Sequence, residues 1–579
     1  MRIGKGRREL LVFTLSLQLG YLGLVGLDWI GLKIPVLRQV IGFVYLTFVP
    51  GFLIFKILRI DNENATETLL YSVGLSLSFL MFTGSIINFL YPLLGIPKPI
   101  SDISIITTTN VIILFLCLII CHLHNRDFSA PFFIRTRQLY SPLALSLLIL
   151  PFISIFGAHL LNYYNINTLL LALYFIISTI PVLVAFDKLR TKTLAIWSIS
   201  ISLLYSVALA TKYLSYGDAP KEYSFGYFVL MEGIWNSSIP VEKNAMLPLV
   251  MLHPIYSLLL NMELQEVFRV VYPLLYSVTP VALYIAFKRQ TNEKIAFFST
   301  FFFMSFFPFY VILSRNTRSG IAELFLALLI FLLTDRNITG VKKSLLSVIF
   351  ALSIIVSHYG ISYVFMFALI ASTLLLASIK KFTTLSEKER GILHPNFCAI
   401  YIAFAFAWYM YNAGGKTFNL PVSFIKNMLI QTSELLSPET SYTVYALQRD
   451  WVFSIEISLY LMLIFSIFIA TGILSLIWSV VKREKVEFQE EFIIFSITFF
   501  GLLLITFLPT KSFNLARIYH TSLCFLSPEI VMSLESYKNL LRKFTHTSRR
   551  ILVGMPSDRR NNAEMRRNVS MPPLYTLPC

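Results

Sequence analysis

Two carboxylates four residues apart stand in the segment Tyr216-Gly217-Asp218-Ala219-Pro220-Lys221-Glu222-Tyr223. On one turn of helix Asp218 and Glu222 would share a face. A carboxylate held in a partly desolvated cleft can take a proton from an attacking hydroxyl or ligate a divalent cation such as Mg or Mn, so Asp218 is a candidate for either role with Glu222 assisting. The same residues also suit the start of a helix, with Asp218 as cap, Pro220 in the first turn and Glu222 on the dipole. Three further turns carry chemistry of a complementary kind. Ser314-Arg315-Asn316-Thr317-Arg318-Ser319-Gly320 offers two arginine forks, with Glu323 following, and such forks match a phosphate better than lysine does. Anionic lipid or pairing with Glu323 would also explain Arg315 and Arg318. Ser357-His358-Tyr359-Gly360 places a histidine at the tip of a tight turn, where it could equally be a hydrogen-bonded interface residue. Pro509-Thr510-Lys511-Ser512-Phe513-Asn514-Leu515-Ala516-Arg517-Ile518-Tyr519-His520 adds Lys511, Arg517 and His520, which could form an anion cradle with the Arg315 turn.

The elements that must position these residues are helices in lipid. Of 579 residues 56% are hydrophobic and 14% charged, and the mean hydropathy is +0.71, too apolar to clothe a soluble globule of this size. The apolar runs are continuous over about 15–25 residues rather than alternating, which selects helices over a β-barrel. About sixteen such runs can be drawn, seven between residues 11 and 211 and nine between 271 and 533. The expectation is an all-α polytopic bundle with short extracytoplasmic helical loops. It divides into a membrane module over 1–192, a core over 193–533 and a basic tail over 534–579 whose composition points to disorder.

Alternating the runs from a cytoplasmic N-terminus puts roughly 34 of the 48 Lys and Arg on one side, as the positive-inside rule requires. Both termini are then cytoplasmic in a multi-pass cell-membrane protein. The formal charge of +17 follows from that orientation and from anionic lipid, and requires no nucleic acid. Cys117, Cys121, Cys398, Cys524 and Cys579 show no disulfide framework or zinc spacing. The four chemistry-bearing turns all fall on the outer side. Two longer outer connections, about 212–270 and 413–455, are where function is expected. The first contains an apolar stretch, 246–262, that could lie on the membrane surface or re-enter it. The second is a lid or a plain connector. No internal repeat of the kind common in secondary transporters is visible.

With its many spans and an acidic motif in a large outer loop, the chain resembles the type-C membrane glycosyltransferase superfamily. Only the Asp218 to Glu222 segment matches a motif of that superfamily, and six apparent spans precede the one that leads into it. On Ile41-Gly42-Phe43 to Pro50-Gly51-Phe52, Asn244-Ala245-Met246-Leu247, Ser357-His358-Tyr359-Gly360 and Asn514 to His520 it is also similar to a family of uncharacterised archaeal multi-pass membrane proteins. The superfamily resemblance implies transfer of a sugar from a polyprenyl-phosphate donor to a glycan, lipid or protein acceptor. Asp218 would be the base or metal-positioning acid. Arg315, Arg318, Lys511 and Arg517 would hold the donor phosphate, and His358 and His520 would orient substrate or share protons. A transporter or flippase of lipid-linked saccharides would use the same arginines, and a noncatalytic scaffold for surface assembly is the third reading. Few charged residues deep in the spans and charge gathered at their outer ends favour surface chemistry over passage.

Overall fold

A computed structural model describes residues 5–60, 64–123, 140–214, 217–378, 391–431, 453–482, 488–505 and 515–553. Among them there are helices and turns and no strand. The first six spans are α1 (Lys5–Trp29), α2 (Pro35–Ile57), α3 (Ala65–Leu93), α4 (Asp102–Leu123), α5 (Pro142–Tyr164) and α6 (Thr168–Ala185). Then come α7 (Lys192–Ala208), the short α8 (Ala219–Glu232), α9 (Pro248–Leu260) and α10 (Leu264–Gln290). The remainder are α11 (Glu293–Ser305), α12 (Thr317–Leu333), α13 (Gly340–Ser357), α14 (Tyr359–Ser378), α15 (Pro395–Tyr411), α16 (Lys416–Gln431), α17 (Phe453–Val481), α18 (Glu490–Ile505) and α19 (Leu515–Val553).

Each of the sixteen expected apolar runs falls on a helix, but ten helices among the described residues are long and apolar enough to cross a membrane alone. The others are shorter for identifiable reasons. α11 ends before Pro308, whose missing N–H breaks the ladder, and a π-helical turn over Pro308–Ile312 takes its place. α15 stops at Asn412, where Ala413, Gly414 and Gly415 all adopt positive φ and turn the chain by 95° into the amphipathic α16. Only the α16 part of the expected 413–455 loop is described, since 432–452 lie outside the described residues. The 246–262 stretch is not spread on a surface. Met246, Leu247, Leu249, Val250, Met251 and Leu252 are fully buried, and α9 packs on α2, α4 and α8 inside the protein.

The centre of the molecule is α12. All seventeen of its residues are buried, which its sequence TRSGIAELFLALLIFLL allows because it is apolar around its whole circumference beyond the first two turns. α3, α10, α13 and α14 pack around it. α2 and α3 approach so closely that a Cβ on Gly51 would lie 1.9 Å from the Ser72 carbonyl oxygen, and the Gly51 N–H donates to Ser76 Oγ at 2.8 Å. At the end of α12 remote from Asp218, Arg289 bridges Glu67 at 2.8 Å and the fully buried Asp335 at 3.1 Å, and Tyr71 donates to the same Asp335 oxygen at 2.9 Å. Lys343 closes that end by donating to the carbonyls of Leu333 and Asp335, each at 2.9 Å.

Candidate functional site

The site is assembled where α8 meets the first turn of α12. Asp218 occupies the cap position of α8, with Gly217 before it at φ 62° and Pro220 in the first turn, yet its side chain makes no capping bond. The carboxylate turns instead to cations. Arg318 Nη2 donates to Asp218 Oδ2 at 3.1 Å, Lys243 Nζ lies 3.2 Å from Oδ1, and Arg517 Nη2 lies 4.0 Å from Oδ2. Glu222 is completely buried one turn on. Its Oε2 accepts from the Thr317 N–H at 3.0 Å and the Thr317 hydroxyl at 2.9 Å, so it supplies the cap that Asn316 leaves unmade and meets the positive end of the α12 dipole. Its Oε1 lies 3.0 Å from Arg318 Nε. The Arg318 guanidinium, 2% exposed, stacks 5.5 Å from the Tyr359 ring centre and holds both carboxylates at once.

These surroundings push the two acids apart. Burial alone would raise Asp218, but Arg318, Lys243 and Arg517 together outweigh it and hold the carboxyl below its ordinary value. For Glu222 burial wins over Arg318 and Thr317, and its carboxyl is raised. His358 is held well below the usual histidine range, first by burial and then by Arg318 and Arg517. The Ile361 N–H donates to its Nδ1 at 3.1 Å, which places the proton of the neutral ring on Nε2.

Beside this cluster lies a cavity of about 390 Å³. Its walls are largely apolar, from Leu313, Ile361, Val364, Phe367, Leu420 and Ile518, and Arg517, His358, Ser319, Glu323 and His520 bring polarity to it. Deep in its wall His520 Nδ1 is 3.0 Å from Glu323 Oε1 and Nε2 is 3.3 Å from the Phe303 carbonyl, while Tyr276 donates to Glu323 Oε2 at 2.5 Å.

Asp218, Glu222, Arg318 and Arg517 are thus brought into one cluster, with His358 and His520 lining the adjoining cavity. Arg315 is not brought to Asp218. It lines a small recess of its own with Arg269, Tyr213 and Ala219. Glu323 does not pair with either arginine, being taken by Tyr276 and His520. Lys511 lies outside the described residues. The expectation that Asp218 ligates Mg or Mn does not fit its neighbours. Its two oxygens face three cationic side chains, Glu222 is spent on Thr317 and Arg318, and no group of three or more His, Cys, Asp or Glu among the described residues could hold a metal ion. Sequence reasoning missed Lys243, Thr317 and Ser319. Lys243 carried a usable signal, a basic residue in an outer loop against the charge bias.

A family model described as "Predicted membrane protein (DUF2206)" matches residues 343–558, less than half of the chain. That stretch includes His358, Arg517 and His520 and leaves out Asp218, Glu222, Lys243 and Arg318. No curated protein and no solved structure matches the chain. The chain is therefore similar over this segment to predicted membrane proteins, and the match brings no activity with it.

Proposed function

We propose that this chain is an integral membrane glycosyltransferase that moves a sugar from a polyprenyl-phosphate donor to a hydroxyl acceptor on the extracytoplasmic side. The observation that carries the reading is the Asp218 carboxyl ringed by Lys243, Arg318 and Arg517, with Arg517 also lining an apolar cavity. In the step envisaged, the acceptor oxygen forms a bond to the anomeric carbon as the bond from that carbon to the donor phosphate oxygen breaks. The acceptor proton passes to Asp218, and the electron pair leaves with the lipid phosphate, whose charge Arg517 and Lys243 offset. Asp218 stays ionised near neutral pH and can also face the positive charge that develops on the sugar.

The test is transfer of label from a radiolabelled polyprenyl-phosphate sugar to endogenous acceptors in membranes holding equal amounts of wild type and Asp218→Asn. Loss of transfer by about a hundredfold or more is expected, since a general base contributes on the order of 10²–10⁴ in rate. Equal transfer by the two proteins removes Asp218 from the chemistry. Movement of the labelled lipid across the membrane without transfer by either would replace the reading with that of a flippase.

A further inference from the structure

Two buried hydrogen-bonding groups line the cavity without a partner. Ser319 is 1% exposed and its hydroxyl makes no hydrogen bond. His358 is 6% exposed, its Nδ1 is occupied by the Ile361 N–H, and its Nε2 has no partner. Leaving such groups unmet inside a protein is costly, and buried polar atoms in folded proteins are nearly always satisfied. The two come from different elements, the first turn of α12 and the junction of α13 with α14, and both reach the cavity that Arg517 lines. The ring tautomer makes His358 a donor, the serine hydroxyl is free to donate, and Arg517 adds positive charge, so the three groups together suit an oxyanion. The rest of the wall, Leu313, Ile361, Val364, Phe367, Leu420 and Ile518, suits a hydrocarbon chain. The volume of about 390 Å³ falls within the range of sites that enclose a small organic ligand.

We infer that Ser319 and His358 form a phosphate seat, each donating to an oxygen of one phosphate group, with the apolar wall taking the chain esterified to it. The inference rests on the transferase reading for its choice of a lipid phosphate, and it assigns recognition to two residues that take no part in the chemistry at Asp218. Ser319 Oγ and His358 Nε2 fix the phosphate by direction, while Arg517 contributes charge between the seat and Asp218. His520 has no place in the seat, because both of its nitrogens are turned to Glu323 and Phe303.

The experiment is equilibrium binding to the full-length protein in detergent micelles, read by intrinsic fluorescence, with farnesyl monophosphate, farnesol and inorganic phosphate as probes. Ser319→Ala and His358→Ala are expected to weaken farnesyl monophosphate by about tenfold or more, the usual effect of losing a hydrogen bond to a charged group. His358→Gln, which keeps an N–H at the Nε2 position, is expected to stay within about threefold of wild type. This variant and Ser319→Ala carry the test if His358→Ala fails to fold for want of its bond to Ile361. Inorganic phosphate that binds as tightly as the farnesyl ester supports the seat and assigns it a soluble ligand. Tighter binding of the ester supports the lipid source. Unchanged affinity in Ser319→Ala, or farnesol binding as tightly as its phosphate, overturns the seat. Binding is read without turnover, so a seat that stands while neither wild type nor Asp218→Asn transfers sinks only the transferase reading. Unchanged binding in Ser319→Ala beside lost transfer in Asp218→Asn sinks only the seat.

Discussion

Arg318 is where the charge of the site converges, and its removal would leave the fully buried Glu222 with no cation in contact while Asp218 kept Lys243 and Arg517. Arg318→Met is expected to cost about 3–5 kcal/mol, the usual effect of breaking a buried pair from one side. Arg318→Lys should recover only part of this, because a point charge cannot reach Asp218 and Glu222 together. Thermal unfolding of the purified variants measures both. The two acids give opposite pH slopes. Asp218 is depressed, so its contribution is in place at neutral pH and is lost as pH falls through its folded value, below the ordinary 3.8. Glu222 is raised, so its contribution is present below the ordinary 4.5 and is lost as pH rises through its folded value. Asp218→Asn should therefore flatten the acid limb of the unfolding temperature, and Glu222→Gln should flatten the decline on the other side. A decline unchanged in Glu222→Gln would show that Glu222 is not its source. The spacing of Asp218 and Glu222 was legible in the sequence because it is local. A shared outer site with Arg318 and Arg517 was expected, but Lys243 and the direct pairing were not legible, because Arg318 pairs with Asp218 across 100 positions and nothing in either segment names the other.

Among the elements, the Gly51 crossing decides how closely α2 and α3 can pack. A methyl group there would strike the Ser72 carbonyl, a backbone atom that cannot swing aside. Gly51→Ala is expected to cost about 3 kcal/mol or more, at the upper end of overpacking, whereas Gly23→Ala, which meets nothing within 4 Å, should be nearly neutral. The drop in unfolding temperature of the two variants in one detergent compares them directly. Apolar run length located sixteen of the nineteen helices described, all but α8, α9 and α16, and it overstated the number that cross alone. A run does not record that Pro308 ends α11 or that Ala413, Gly414 and Gly415 bend α15 into α16. Burial of the 246–262 stretch was hidden for a similar reason. Its apolar composition suits a lipid surface and a protein interior equally, and only the surrounding helices decide between them.

On the scale of the whole molecule, two charge clusters lie at opposite ends of α12, one around Asp218 and one around Arg289. If the positive-inside bias sets the orientation, a membrane-impermeant thiol reagent should label Lys221→Cys in intact cells lacking the native cysteines. Lys288→Cys, next to the Arg289 cluster, should be labelled only after permeabilisation. Both side chains are exposed, so access to the reagent reports sidedness. Labelling of Lys288→Cys from outside would invert the topology and remove the extracytoplasmic reading of the site. Helical class was legible from composition because lipid imposes it on every spanning residue.

Both clusters seize the same rod. At one end Arg318 and Thr317 tie α12 to α8, and at the other Asp335, just past its last turn, is tied to Arg289 of α10 and Tyr71 of α3. A slip of α12 by one turn, about 5.4 Å, would unpair both ends in the same movement. The two ends are therefore coupled through α12, and neither cluster can rearrange by a slide of that helix without the other.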